Sequence, residues 1–183
     1  MPRPAEPGRS ALLRAGAEVA TERGLKGLSV NAVVDAAGMA KGSFYHHFPD
    51  RRSYVIALHR EYHDAIDAAV SLAIDGRQPG EGRLRAGIIA YLDACRRTRA
   101  TKAFLAQSRT DTDLLDEVTA RNAAATEKMR TDVGLLGWDD PGAIATLTVA
   151  MVAETALVEL YADAEQPALR DAIFALLLAN SPS

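Results

Sequence analysis

Glycine and proline cut this 183-residue chain into pieces of helical length, and little between them competes with helix. Leu12, Ala15, Gly16 and Val19 fall at helical spacing in a first segment over about 10–23, and Gly24 is a natural stop. Ser29 can cap a second helix ending at Ala37, Gly38 supplies a tight turn, and a third helix is expected over about 40–47. Pro49 disfavours helical geometry at Phe48. Asp50 then caps a long fourth helix reaching about Ile74, along which Tyr54, Leu58, Tyr62, Ile66 and Val70 recur every four residues. The glycines and proline of 75–82 mark a loop. Further helices are expected over about 83–98, 101–108, 112–133, 142–163 and 168–180, with a break around Trp138. No segment shows the period-two alternation and hairpin turns of a strand. The fold class is therefore all-α with about nine helices, preceded by a proline-rich stretch, residues 1–8, expected to be disordered.

Composition narrows the setting. Cys95 is the one cysteine, which excludes an intramolecular disulfide framework and a Cys-rich zinc module. Arg14 and Glu18 interrupt the apolar run near the N-terminus, so no secretory signal is expected. The longest uncharged stretch, Pro141 to Ala153, is shorter than the ~20 residues of a membrane-spanning helix. A cytoplasmic protein is the expectation. Charge is unevenly spread: residues 1–60 hold nine Lys/Arg and five Asp/Glu, a net of +4, whereas the rest of the chain holds twelve and nineteen, a net of −7. A basic first third on an acidic remainder points to a polyanion met by the first third alone, with scattered surface charge as an equal alternative.

The segment Ser29 to Arg51 carries the strongest signal. Two short helices separated by Gly38 form the helix-turn-helix pattern, whose second helix enters the DNA major groove. Lys41, Ser43, Tyr45, His46 and His47 place hydrogen-bond donors on that second helix, and Asp35 and Asp50 are the acids of the stretch. Phe44 and Phe48, four apart, read as anchors to the rest of the domain. Gly42 lets backbone approach a phosphate or a base edge.

The run Ala37-Gly38-Met39, Lys41-Gly42-Ser43-Phe44, Tyr45-His46-His47-Phe48 and Arg51 resembles the TetR family of bacterial transcriptional regulators. The resemblance covers about residues 10–60. It implies a three-helix DNA-binding domain over 1–50 and a helical effector-binding and dimerisation domain over 51–183. It also implies phosphate contacts from Tyr45, His46 and Arg51. Ser29 would cap the second helix and is placed to touch phosphate as well, while Lys41 and Ser43 are better placed for base edges or adjacent phosphates. For His47 a packing role is an equal alternative. Four positions depart from the family pattern. Ala40 stands where a Ser or Thr often caps the recognition helix, and Val34 where a smaller alanine is common. Arg51 replaces the usual lysine, and Arg52 follows where an acid is common. Arg3 and Arg9 are close enough to reach a minor groove, although a solvated tail is the simpler reading.

Residues 141–183 contain six charged residues: Glu154, Glu159, Asp163, Glu165, Arg170 and Asp171. The last two helices are apolar over more than one stripe, so each must be covered on more than one side. By the same resemblance they would pair with those of a second copy in a four-helix bundle, and the homodimer would bind a palindromic double-stranded DNA operator as a repressor released by a small-molecule effector. Tyr62, Tyr91, Phe104, Met129 and Met151 are candidates to line the effector pocket, though each is also ordinary core, and Glu154 is a candidate counter-charge for a cationic ligand.

Competing chemistry is thin. His59 and His63 stand four apart, a spacing that can hold a metal, but no third ligand is evident and no metal is expected. Cys95 lies beside Arg96, Arg97 and Arg99, yet an inert buried thiol is the favoured reading. No phosphate loop, dinucleotide fingerprint or nucleophile elbow is present, so neither a cofactor nor an enzyme is expected. The alternative is a helical ligand-binding or enzymatic protein that carries a helix-turn-helix-like segment without binding DNA.

Overall fold

The computed structural model describes residues 7–98, 102–107 and 111–179. Among these it contains α1 (Pro7–Arg23), α2 (Val30–Ala37), α3 (Lys41–His47), α4 (Arg51–Ile74), α5 (Glu81–Arg97), α6 (Leu115–Gly134), α7 (Pro141–Ala162) and α8 (Pro167–Leu178). A 3-10 turn covers Leu25–Gly27, and a π-helical turn covers Lys102–Gln107. Eight α-helices stand where nine were expected, because the predicted sixth helix is the π-helical turn. The expected disorder of residues 1–8 is corrected at Pro7 and Gly8, which open α1; proline is accommodated in a first helical turn because its missing N–H would be unpaired there anyway. Residues 1–6, including Arg3, lie outside the described residues.

The chain divides into two compact units. The first comprises residues 1–63 and 98–116. Its helices form where the local chemistry demands. On α1, Leu12, Leu13, Ala15, Gly16, Val19 and Ala20 are buried at i, i+3 and i+4 spacing. The helix stops at Gly24, whose φ of 67° suits glycine. Ser29 caps α2 by accepting a 3.2 Å hydrogen bond from the Ala32 N–H. Gly38, left-handed at φ 63°, ends α2, and the Met39 N–H then returns to the Val34 carbonyl at 2.9 Å. Asp50 caps α4 through a 2.7 Å bond from the Ser53 N–H, which holds its carboxyl below the usual carboxylate range.

The core of this unit is aromatic at its centre. Phe44, Phe48 and Tyr54 are buried, with ring centroids 5.6 Å (Phe44–Phe48), 5.0 Å (Phe44–Tyr54) and 4.9 Å (Phe48–Tyr54) apart. The Tyr54 hydroxyl donates to the Leu12 carbonyl at 2.7 Å, and burial pushes its ionisation well above that of an ordinary tyrosine. Gly16 is required at this crossing, because a Cβ there would overlap the Tyr54 hydroxyl.

The second unit comprises residues 64–97 and 117–183. Leu84, Ile88, Leu92, Val133, Ala145, Val152, Ile173, Phe174 and Leu177 are among its buried apolar residues. Buried Asp132 organises the loop before α5, accepting from Arg83 Nε at 3.0 Å and from the Gly80 N–H at 2.7 Å. Arg121 joins α6 to α4 through Asp64 at 2.8 Å and Asp67 at 3.2 Å. Helix α7 is long and apolar enough, by length and composition, to cross a membrane. It nevertheless carries Glu159, fully buried, which accepts from Arg170 Nε at 2.6 Å and Nη2 at 2.8 Å. Arg170 also donates to Asp93 at 2.9 Å, so α5, α7 and α8 share one charged junction. Large apolar side chains remain exposed on both C-terminal helices: Leu147, Val158 and Tyr161 on α7, and Leu169 and Leu176 on α8.

Removing one partner of the buried pair leaves an uncompensated charge. Arg170→Ala is expected to lower unfolding stability by about 3–5 kcal/mol, measured by denaturant titration at neutral pH. Burial works against the charged form of Glu159, but hydrogen bonds from Arg170 and the Gln166 N–H, with the charges of Arg170 and Arg96, outweigh it and hold the carboxyl below its usual range. Its folded form therefore gives up the proton more readily than the unfolded chain does. The resulting stabilisation is present above the ordinary carboxylate range and is lost as pH falls through the lowered value. Glu159→Gln should make the acid side of the stability profile shallower; an unchanged profile would refute the pair's contribution.

Candidate nucleic-acid interface

Helix α3 is seven residues long, and its faces are sharply sorted. At 3.6 residues per turn, Lys41, Tyr45, Gly42 and His46 occupy an arc of about 140°, and all four are exposed. Tyr45 exposes 50% of its surface although it is aromatic. Ser43 and His47 follow as part-buried residues. Phe44 and Phe48 complete the circle, both buried in the aromatic core. The anchor thus faces one way and the donors the other. No acid lies on α3, and a Cβ on Gly42 would meet nothing within 4 Å. The N-terminus of α3 has no side-chain cap, since Ala40 offers no hydrogen-bonding group.

His47 approaches α1, where a Cβ on Gly8 would come within 2.8 Å of its Nε2. Arg9 is helical, and its guanidinium stacks over Phe48 at 5.2 Å from the ring centroid, so it is part of α1 rather than of a solvated tail. Ser29 is exposed, with its oxygen engaged in the α2 cap.

Arg51 has internal partners that were not foreseen. Its Nε donates to the Leu28 carbonyl at 2.8 Å, its Nη2 to the Leu25 carbonyl at 3.0 Å, and its Nη1 faces Asp113 at 3.4 Å. The planar fork at this position bridges two carbonyls of the 3-10 turn that a lysine could not span in the same way. Beside it, Gln107 of the π-helical turn accepts from the Leu25 N–H at 2.7 Å, and a Cβ on Gly24 would collide with that same amide. Arg52 pairs at longer range with Asp113 and Asp116. Nothing in the local sequence signals that residues 107 and 113 return to this turn.

The six effector-pocket candidates divide between the two units. Tyr62 and Phe104 are buried and stacked, with centroids 5.4 Å apart, inside the first unit. Tyr91, Met129 and Met151 are part-buried and Glu154 is exposed, all in the second unit. A cleft of about 240 Å³ in that unit is lined by Asp93, Arg96, Arg97, Glu159, Leu160 and Asp163, none of which was a candidate. Cys95 is buried, as expected of an inert thiol.

Residues 12–58 match the model of the bacterial regulatory proteins of the tetR family. Over this segment the chain is similar to the TetR family of bacterial regulatory proteins. It is 30% identical over 83 residues to the transcriptional repressor NemR of Escherichia coli, an alignment that covers 45% of this chain and 40% of NemR. It is 33% identical over 86 residues to the transcriptional repressor KstR2 of Mycobacterium tuberculosis, covering 47% and 43%. The chain thus spans less than half the length of the curated relatives it matches. A TetR-like transcriptional regulator from Rhodococcus sp. RHA1 superposes with a TM-score of 0.77 at 18% identity, over 97% of this chain and 96% of that one, which shows that the fold is shared along nearly the whole length. Within this shared fold, the residues 12–58 that carry the sequence match include those that build α3 and its aromatic anchor.

The Arg51 clamp yields a stability prediction. Arg51→Lys keeps the charge but cannot bridge both carbonyls, and should cost about 1–2 kcal/mol in thermal or denaturant unfolding. Unchanged stability would show that the clamp is incidental.

Proposed function

We propose that this chain is a ligand-responsive transcriptional repressor of the cytoplasm that binds a palindromic operator as a homodimer. The observation that carries this reading is the sorted surface of α3, with Lys41, Gly42, Tyr45 and His46 exposed together opposite a buried Phe44–Phe48 anchor. A basic, acid-free face of this kind on the second helix of a helix-turn-helix suits the major groove. In this reading Tyr45 and His46 contact phosphate, Lys41 and Ser43 reach base edges, and Gly42 lets the backbone close on the duplex. Ser29 and His47 stand at the margins of the face. Arg51 acts chiefly by holding the 3-10 turn, with its remaining N–H groups directed at phosphate.

Homodimerisation is supported by the exposed apolar residues of the two C-terminal helices. Leu147, Val158 and Tyr161 recur at intervals that keep them on one side of α7, and Leu169 and Leu176 do so on α8. A second copy meeting these helices would bury them in a four-helix bundle. Tyr62 and Phe104 are the effector-pocket candidates that lie against each other, and Tyr91, Met129, Met151 and Glu154 remain candidates in the second unit. Whatever the effector, linkage requires that it weaken operator binding by the same factor by which operator weakens effector binding.

Fluorescence anisotropy with an operator selected for this protein tests the reading. Tyr45→Phe should weaken specific and non-specific duplexes alike by about fivefold, the loss of one hydrogen bond of ~1 kcal/mol. Lys41→Ala should instead change which sequences are preferred. Operator affinity that survives both changes would refute the assignment of this face. Leu147→Glu with Leu176→Glu should give a monomer by analytical ultracentrifugation with loss of cooperative operator binding, and a persistent dimer would move the interface elsewhere.

A further inference from the structure

The four histidines of this chain fall in two pairs, His46–His47 on α3 and His59–His63 on α4. The pairs are not equivalent. Adjacent residues on a helix point in different directions, whereas residues four apart lie one above the other. His59 and His63 bring their Nε2 atoms to 3.1 Å, with ring centroids 4.4 Å apart. The rings are braced: Phe104 meets His59 edge-on at 5.9 Å, and Tyr62, stacked on Phe104, meets His63 edge-on at 4.9 Å. His59 is fully buried, while His63 is part-exposed and leaves one side of the pair near solvent.

We infer that His59 and His63 form a two-nitrogen site for an imidazole-binding divalent transition-metal ion, for which Ni²⁺ is the probe. With metal–nitrogen bonds of about 2.1 Å, a separation of 3.1 Å corresponds to an N–metal–N angle of about 95°, so one ion can reach both nitrogens with little movement of the rings. No cluster of three or more His, Cys, Asp or Glu suited to a metal occurs among the described residues, so the remaining positions fall to water or to a small chelating ligand. Binding replaces the hydrogen bond between the two rings, and each imidazole would then present its Nε2 lone pair to the ion. Protons compete for the same lone pairs, and binding weakens as the solution is acidified. The sequence contains the spacing but not the distance; the aromatic brace that sets the distance comes in part from Phe104, far along the chain. This inference stands apart from the proposed DNA binding and needs no operator for its test.

Isothermal titration of the tag-free, full-length chain with NiCl₂ at neutral pH, in a non-chelating buffer, is the experiment. One Ni²⁺ per chain is expected. His63→Gln, a change at a part-exposed position, should weaken binding about tenfold or more while leaving thermal unfolding in the absence of metal nearly unchanged. His46→Gln with His47→Gln should leave Ni²⁺ binding as it was. Absence of Ni²⁺ binding would mean that the pair shares only a hydrogen bond. That result, full affinity in His63→Gln, or loss confined to the His46/His47 variant would each overturn the assignment.

Discussion

A seven-residue helix is too short to persist in water by its own hydrogen bonds, since nucleation alone is unfavourable and isolated helices of this length are not stable. Everything α3 does therefore depends on the aromatic contact among Phe44, Phe48 and Tyr54. Two of these rings belong to α3 and its end, and the third to α4. The Tyr54 hydroxyl reaches into α1 at the Leu12 carbonyl, and Gly16 removes the side chain that would block it. The three helices are fixed to one another by that junction. With its apolar side held in this way, α3 can leave the opposite side to Lys41, Gly42, Tyr45 and His46 without loss of order.

Features that depend on local chemistry were visible in the sequence. The Ser29 cap, the Gly38 turn and the Asp50 cap are each set by one residue and its near neighbours, and each occurs where the sequence places it. The missing cap at Ala40 is equally local. The fold class followed from the same punctuation. Helix ends moved by one to three residues where proline or an acid opens the first turn, as at Pro141, Pro167 and Glu81. The predicted helix over 101–108 became a π-helical turn, because a six-residue segment takes its hydrogen-bond pattern from what it packs against.

Features that depend on distant residues were not visible. The family resemblance implies that Arg51 contacts phosphate, but the partners of its guanidinium include Leu25, Leu28 and Asp113. Gln107 meets Leu25 across 82 residues of sequence, and no pattern of composition marks such a contact. Glu159 and Arg170 appear in sequence as two of the few charges on apolar helices, which is itself a signal: a charge on a helix buried on several sides needs a partner. Which partner, and the addition of Asp93, required the fold. The effector candidates were the weakest expectation for a related reason. Bulky, adaptable side chains suit a cavity and a core equally, so spacing alone does not tell one from the other.

In the proposed function, two copies of this α3 face, related by a two-fold axis, read one duplex. Selection of bound duplexes from a random library by full-length protein tests it most directly, at a stated salt concentration and after refolding from denaturant to strip any co-purified ligand. Two-fold symmetric sites are expected, with half-site centres about 10 base pairs apart or a small multiple of that spacing. Retention of duplexes without any enriched sequence, or enrichment of a single unsymmetric site, would contradict this reading.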